Sequence, residues 1–395
     1  MQEILRRYAR LIIEIQLKLQ KGDALSINTE NSTIEFARML ATKACESTLQ
    51  TVSIVETSHG KVVQVVEFDP VEKRIKRPPV TGYVMCHLID LDSAPYLTDD
   101  SVSSLTEDVA KLGTYGLLSD PVFLDRRIAV PWANVPLPGP LWTMQLLGKA
   151  ASEEDMWNLF AKIYRLEDDH GLKFWLDQAN LLHYRKQMLT KRGKLSLTIK
   201  ADGCNLQATM ADRTKWTGGS SELSSGRTFM PNLPMQHIHA SLHKGMTEGT
   251  LVTSIPFLVL GKKVKEASFT IEKGKVVAYS AKEGKEALDA FFAIDEGSPV
   301  VSGLSLADDD TIERAYLNQA IHPHFNGEIT TSLVLGGFML NTLTDQSSDE
   351  EIDDSHLNRS LVRLEIPMGS ATLSIQATDQ KGEKISLIEE GVFEL

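Results

Sequence analysis

Residues 24–56 read ALSINTENSTIEFARMLATKACESTLQTVSIVE. Residues 24–27 predict a short strand, residues 32–49 carry apolar side chains at the three- and four-residue steps of a helix, and residues 51–56 predict a second strand. A strand, a helix and a strand within about 30 residues form a βαβ unit, whose strands lie parallel in one sheet. The first half of the chain is therefore predicted to be an α/β domain with a parallel sheet.

The pattern changes after Arg192. Before it, helical spacing predicts helices over residues 4–15, 101–112, 153–166 and 172–191. After it, residues 194–200 and 205–211 alternate polar and apolar side chains as half-buried antiparallel strands do, and further strands are predicted over 249–255, 267–271 and 275–279. Residues 218–226 and the acidic stretch 347–354 predict loops. We therefore expect two domains: an N-terminal α/β domain over 1–192 and a C-terminal α+β domain, rich in antiparallel strands, over 193–395.

Charge and composition narrow the range of functions. The chain has 395 residues, with 41 Lys and Arg against 53 Asp and Glu, so its net charge is −12. Such an acidic chain without a basic block is a poor ligand for nucleic acid. Charges interrupt residues 1–19, and no later stretch offers about 20 uncharged apolar residues, so neither a signal peptide nor a membrane span is expected. Cys45, Cys86 and Cys204 are widely spaced and read as reduced thiols of a cytoplasmic protein.

Short motifs in the second half resemble, in their order and spacing, those of the thermophilic (leucyl) aminopeptidases, the metallopeptidase group of aminopeptidase T and aminopeptidase S. The matching segments are Gly203-Cys204-Asn205-Leu206 at G-T-D-L, Asn232-Leu233-Pro234-Met235-Gln236-His237 at N-x-P-T-G-E, Val301-Ser302-Gly303-Leu304 at E-L-G-I, Ser332-Leu333-Val334-Leu335-Gly336 at H-I-A-L-G, and residues 358–370 (NRSLVRLEIPMGS) at N-x-S-x-x-H-x-D-F-M-I-G-S. The resemblance implies the family's fold, a homodimer, and a peptide or small-molecule ligand.

The resemblance also implies a site for two metal ions that removes N-terminal residues from peptides, because two metals can activate a bridging water and polarise the scissile carbonyl. The family's six ligands, Glu, Glu, His, Tyr, His and Asp, fall in this sequence at His237, Val301, Ser332, Met339, Arg363 and Glu365. Only His237 and Glu365 keep good donors, and a permanent cation at Arg363 repels a divalent ion. The sequence therefore predicts that Val301, Ser332, Met339 and Arg363 are degenerate ligand positions and that peptidase activity is absent or altered.

Besides a degenerate peptidase site, two other readings of this site stay open: a mononuclear metal enzyme and a metal-free binding protein. His237 and His239 share a strand face and, with Glu365, would give the two-histidine, one-carboxylate set that suits iron(II) in a mononuclear enzyme. His322 and His324 are further candidate ligands. Alternatively, Arg363 and Glu365 form an ion pair in the vacated pocket, and the protein binds a ligand or partner without metal. The cofactor is accordingly either a divalent metal (zinc, cobalt or iron) or none.

Overall fold

The computed structural model describes residues 1–48, 52–58, 61–68, 82–89, 130–223, 225–260, 262–309, 311, 325, 330–344 and 354–395. Three sequence predictions fall outside these residues. They are the helix over 101–112, the acidic loop over 347–354 except for Asp354, and the candidate ligands His322 and His324. The chain divides into two compact units. The first includes Met1–Ser93, Asp120–Ala179 and Ser220–Met235, and the second includes Asn180–Gly219 and Gln236–Leu395. The boundary at Arg192 stays a prediction.

The sheet of the first unit has the strand order β3-β2-β1-β4-β5. Its strands are β1 (Leu25–Glu30), β2 (Val52–Ser58), β3 (Lys61–Phe68), β4 (Gly82–Ile89) and β5 (Trp132–Pro138). Strand β1 is parallel to β2 and to β4, and β4 is parallel to β5, whereas β3 runs antiparallel to β2. The predicted βαβ unit is thus present, but the sheet as a whole is mixed, so the predicted parallel sheet is confirmed only in part.

Most helices of the first unit lie close to their predicted positions, but the helix at Pro140–Leu147 was not predicted. They are α1 (Gln2–Leu11), continued by a π-helical turn (Ile12–Gln16), α2 (Ile34–Thr48), preceded by a 3-10 turn (Asn31–Thr33), α3 (Pro140–Leu147) and α4 (Glu153–Ile163); α5 (His170–Lys191) follows. Helix α4 begins at Ser152, whose hydroxyl accepts the Asp155 N–H while the Asp155 carboxylate accepts the Ser152 N–H. This reciprocal cap satisfies two backbone donors that a helix start leaves open.

The second unit is built on antiparallel strands, as predicted. Those before the site are β6 (Ser196–Ala201), β7 (Cys204–Met210), β8 (Thr217–Gly218) and β11 (His237–Val252); β9 (Ser221–Glu222) and β10 (Thr228–Phe229) pair within the first unit. Next come β12 (Phe257–Val259), β13 (Lys262–Val264), β14 (Ser268–Glu272), β15 (Lys275–Ser280) and α6 (Lys285–Phe292). The remainder are β16 (Val301–Ala307), β17 (Ser332–Gly336), a 3-10 turn (Leu340–Thr342), β18 (Arg363–Pro367), β19 (Ser374–Thr378), β20 (Lys384–Glu389) and β21 (Val392–Phe393).

One twelve-stranded sheet organises this unit, with the central order β18-β17-β16-β11-β7-β6-β19-β20-β21. Strand β11 is long and has an irregularity between Leu242 and Thr247. Its first half pairs with β16 and its second half with β7 and β14. Gly249 lies where the strands come closest: a Cβ there would lie 2.0 Å from the Asn205 carbonyl oxygen, so only glycine fits.

Strands β11, β16, β17 and β18 have one apolar face and one polar face. Because side chains alternate along a strand, Ile238, Leu304, Leu333 and Leu364 fall on one side, where all four are buried. The opposite side carries the candidate residues together with small neighbours: His237, His239, Ser241, Gly303, Ser305, Ser332, Val334, Arg363 and Glu365. The candidate site is therefore the polar face of four adjacent strands. Among the described helices, none is long and apolar enough to cross a membrane.

Candidate functional site

Strand register brings five of the candidate positions onto one face: His237, His239, Ser332, Arg363 and Glu365. His239 of β11 lies opposite Ser305 of β16, which lies opposite Ser332 of β17. Glu365 of β18 lies opposite Val334, two residues from Ser332 on the same strand. Directly opposed residues share a face, so segments far apart in sequence converge here as the motif order predicts.

Arg363 and Glu365 form an ion pair on this face. The Arg363 Nη2 lies 2.9 Å from the Glu365 Oε1, and the two side chains are 18% and 23% exposed. The residues are two apart on β18, so their side chains emerge on the same side. The predicted pairing of Arg363 with Glu365 is confirmed.

His239 lies beside this pair and is fully buried. Its Nδ1 is 3.1 Å from the Ser305 hydroxyl oxygen and 3.5 Å from the Arg363 Nη2. Burial, the Arg363 cation and nearby His237 all lower the pKa of His239 well below the ordinary value for an imidazole. The ring is therefore neutral near pH 7. Because a guanidinium only donates, the Arg363 contact fits the tautomer with the proton on Nε2, whereas donation from Nδ1 to the Ser305 hydroxyl requires the other tautomer.

Gly303 lies directly against the His239 imidazole. A Cβ at Gly303 would lie 2.7 Å from the His239 Cε1 and 3.0 Å from its Nε2, closer than side-chain atoms approach one another. The Nε2 is buried and has no hydrogen-bond partner in the part of the chain that the structure describes. Glycine at position 303 thus allows the ring to lie flat against β16.

The remaining candidate positions have surroundings that differ from those of Arg363 and Glu365. His237, half-buried, lies opposite Ala307 at the start of β11. Val301 is buried and pairs with Leu335, which alternation places on the apolar face. The buried Ser332 hydroxyl donates to the Thr330 carbonyl oxygen, 3.2 Å away.

Met339, the last of the six positions, is half-buried and follows β17. Its carbonyl oxygen accepts a hydrogen bond from the Thr342 hydroxyl. Within the described residues, no group of three or more His, Cys, Asp or Glu side chains is arranged to hold a metal ion.

Two residues of the Asn-x-Ser motif position β18. The Asn358 side-chain amide donates to the carbonyl oxygens of Gly297, at 2.8 Å, and Gly336, at 2.7 Å. The Ser360 hydroxyl donates to the Asp295 carboxylate, which also accepts the backbone N–H of Leu361. These bonds fix the approach to Arg363, a role that the sequence does not reveal although it marks the motif itself.

Sequence reasoning also missed Ser305 and Gly303 as members of the site. Ser305 is 66 residues from its partner His239, so no local spacing links them. Gly303 stood in a quoted motif, and the signal that could have identified it is a glycine on a strand, which often marks a close approach by another group. As it stands, the site offers a guanidinium, a carboxylate and a neutral imidazole: it can donate hydrogen bonds to an anion and accept them from a cation.

Comparisons with known proteins agree on one family. The model of the thermophilic metalloprotease family (M29) matches residues 1–393. Aminopeptidase 2 of Geobacillus stearothermophilus is 23% identical over 405 aligned positions, covering 99% of this chain and 98% of that protein. Aminopeptidase T of Thermus thermophilus is 23% identical, with 98% and 97% covered. The solved structure of wild-type AmpT from Thermus thermophilus superposes with a TM-score of 0.81 at 19% identity over 100% of both chains.

Proposed function

The chain belongs to the thermophilic metalloprotease (M29) family, and we propose that it keeps this family's scaffold for ligand binding without two-metal peptide cleavage. The observation that carries the proposal is the Arg363–Glu365 ion pair. It places a permanent cation at one position where the family resemblance expects a metal ligand. It also engages one oxygen of the only carboxylate among the six positions.

The donor chemistry of the site does not fit two divalent ions. A dinuclear site needs several carboxylates and imidazoles, and Val301, Ser332 and Met339 supply none. At an effective dielectric of about 20, unit charges about 4 Å apart interact by roughly 4 kcal/mol, and a divalent ion doubles the repulsion from a guanidinium. The Arg363 cation therefore offsets the attraction of Glu365 for a divalent ion, so the pair offers a metal no net attraction.

A mononuclear enzyme using His237, His239 and Glu365 is the rival reading. Two features argue against it. The His239 Nδ1 is directed at Ser305 and Arg363, and its Nε2 is buried beside Gly303, so the ring presents neither nitrogen to solvent. Arg363 moreover contacts both His239 and Glu365, at 3.5 and 2.9 Å, and would lie against any ion held by the two. The metal-free reading is preferred for these reasons.

Metal analysis of the purified protein by mass spectrometry after mild dialysis tests the proposal. We expect far less than one metal per chain and leucyl-peptide cleavage at background with or without a chelator. About two metals per chain, with cleavage that a chelator abolishes and added metal restores, would refute it. About one zinc, cobalt or iron per chain would support the mononuclear rival instead.

Replacing Arg363 with His sharpens this test. Arg363→His removes a permanent charge and adds one donor, so we expect zinc or cobalt affinity to rise. Leucyl cleavage should stay at background because Val301, Ser332 and Met339 still contribute no useful donor. Arg363→Gln, which removes the same charge without adding an imidazole, is the matched control and should raise metal affinity less.

The homodimer implied by the resemblance and the cytoplasmic location inferred from the widely spaced cysteines belong to the same proposal. Light scattering tests the first of these. A mass equal to that of one chain, 43.8 kDa, would contradict the dimer.

A further inference from the structure

The Arg363–Glu365 pair leaves much of its hydrogen-bonding capacity open. A guanidinium has five N–H donors, yet among the described residues only the Arg363 Nη2 forms hydrogen bonds, to Glu365 and, at longer distance, to His239. The Arg363 Nε and Nη1 and the Glu365 Oε2 make no hydrogen bond to any described residue, and both side chains are about one-fifth exposed, at 18% and 23%. Three N–H donors and one carboxylate oxygen of this partly exposed pair are thus without a hydrogen-bond partner among the described residues.

We propose that this pair binds the zwitterion of a free α-amino acid, with the ligand carboxylate on Arg363 and the ligand ammonium on Glu365. The inference rests on the proposed metal-free site and adds the class of ligand. Guanidinium–carboxylate contacts are commonly bidentate, and the open Nε and Nη1 offer two donors from one planar group. The Glu365 Oε2 is the matching acceptor for an ammonium.

Charge balance selects a zwitterion over simpler ligands. Arg363 and Glu365 together are neutral, so a plain anion attracted by the one is repelled by the other. The ammonium and carboxylate of an α-amino acid are attached to the same carbon, so they can reach two protein charges that are 2.9 Å apart. A peptide N-terminus would satisfy Glu365 alone, and a peptide C-terminus Arg363 alone.

The positions opposite the pair on the neighbouring strand carry no charge. Gly336, which has no side chain, lies opposite Arg363, and Val334 lies opposite Glu365. The adjacent row contains Ser305 and Ser332, both small and buried. Next to the charged pair, this part of the face therefore consists of small or apolar residues.

The experiment uses the full chain in buffer containing a chelator. Thermal shift with each of the twenty L-amino acids identifies the tightest binder, and titration calorimetry then compares it with its amide, which lacks the carboxylate, and its deamino acid, which lacks the ammonium. We expect saturable binding of the amino acid and at least about tenfold weaker binding of both analogues, since each loses one charge-assisted contact. Equal affinity for either analogue would overturn the zwitterion assignment, as would inorganic phosphate binding where no amino acid binds.

Two variants locate the site. Arg363→Met and Glu365→Gln should each weaken amino-acid binding at least about tenfold, whereas the surface control Arg192→Met should bind as the unmodified protein does. Circular dichroism establishes that each variant is folded. If Arg363→Met does not fold, the near-isosteric Glu365→Gln decides alone, and unchanged affinity in a folded variant overturns the proposal.

Metal content measured on the same sample separates this inference from the proposed function. Metal-free protein that binds no amino acid overturns the zwitterion site and leaves the metal-free function standing. Protein with about two metals and chelator-sensitive leucyl cleavage overturns the proposed function, and the zwitterion site with it.

Discussion

Two arginine–carboxylate pairs in the second unit differ in how completely they are bonded. Arg185 of α5 places Nη1 2.7 Å from the Asp308 Oδ2 and donates from Nε to the Leu395 carbonyl oxygen at 3.0 Å. Its guanidinium also lies 4.1 Å from the centre of the Phe393 ring. Arg363, in contrast, engages one nitrogen of three. An arginine that is bonded on every side is a structural connection, whereas one with open donors can still accept a ligand.

The two pairs also differ in what they connect. Arg185 links α5 to the end of β16 through Asp308 and to β21, because the Asp308 Oδ1 also accepts the Phe393 N–H at 2.8 Å. Arg363 and Glu365 lie two residues apart on one strand, so their bond joins no separate elements. From this contrast we expect the first pair to stabilise the fold and the second to contribute mainly to binding.

Replacing Arg185 with Met should have the largest effect on stability. The Arg185 side chain is 7% exposed and that of Asp308 14%, and removing one partner leaves a buried carboxylate without its countercharge. Breaking such a pair costs about 3–5 kcal/mol, which urea unfolding can measure. Arg192→Met, which disrupts the exposed pair with Glu383, is the control and should cost less than about 1 kcal/mol. If Arg185→Met cost no more than this control, Arg185 would not be a structural connection.

Gly303→Ala should have an intermediate effect. The new methyl group would lie 2.7 Å from the His239 Cε1, so the buried ring must move, and overpacking of this kind costs about 1–3 kcal/mol. The displaced ring should also leave its position beside Arg363 and weaken any ligand bound there. Gly226→Ala, whose Cβ would meet nothing within 4 Å although its φ is +80°, measures the cost of backbone strain without a clash. An equal cost in both variants would mean that contact with the ring is not the cause.

Replacing Arg363 with Met measures how much the second pair, Arg363 with Glu365, contributes to stability. The variant loses one partly exposed bond within a single strand, so we expect it to cost about 1 kcal/mol, well below Arg185→Met. Urea unfolding of the two variants under identical conditions measures the difference. A cost for Arg363→Met as large as that for Arg185→Met would make the Arg363 pair a structural feature and remove the contrast.

Local patterns predicted what depends on neighbours in sequence. The helix predicted over 172–191 is present as His170–Lys191, and the two-residue spacing of Arg363 and Glu365 predicted their pairing. The pattern failed at β11, where only residues 249–255 were predicted. The strand starts at His237, but its first half contains histidines, serine and alanine instead of a clean alternation. Contacts between distant residues, such as Arg185 with Asp308, leave no local signal at all.

The mixed first sheet and the site show the same limit. The βαβ pattern predicts that β1 and β2 are parallel. It does not predict that β3 runs antiparallel to β2, because the periodicity of a strand carries no information about its direction in the sheet. Likewise, motif order identified Arg363 as a departure from the family pattern. The burial of His239 and its contact with Arg363 depend on the packing of four strands, which becomes visible only in three dimensions.

The smallest expected effect concerns stability at acid pH. It tests whether the Arg363 cation lowers the pKa of the neighbouring His239. Burial first, then the Arg363 cation and His237, lowers the pKa of His239. A histidine whose folded pKa lies below its unfolded value of about 6.5 takes up a proton more readily when unfolded, so stability is full above that value and declines as the pH falls towards the folded pKa. In Arg363→Met one cause of the shift is removed, so the pKa of His239 rises towards its unfolded value. The pH range over which the folded protein loses stability then becomes narrower. We therefore expect Arg363→Met to lose less stability between pH 7.5 and 5.5 than the unmodified protein, by an amount smaller than any effect above. Urea unfolding at both pH values measures the loss, with Arg192→Met as the control for removing a positive charge. Identical losses in all three proteins would show that burial is enough to keep His239 neutral down to pH 5.5 and would contradict a decisive influence of the Arg363 cation over this range.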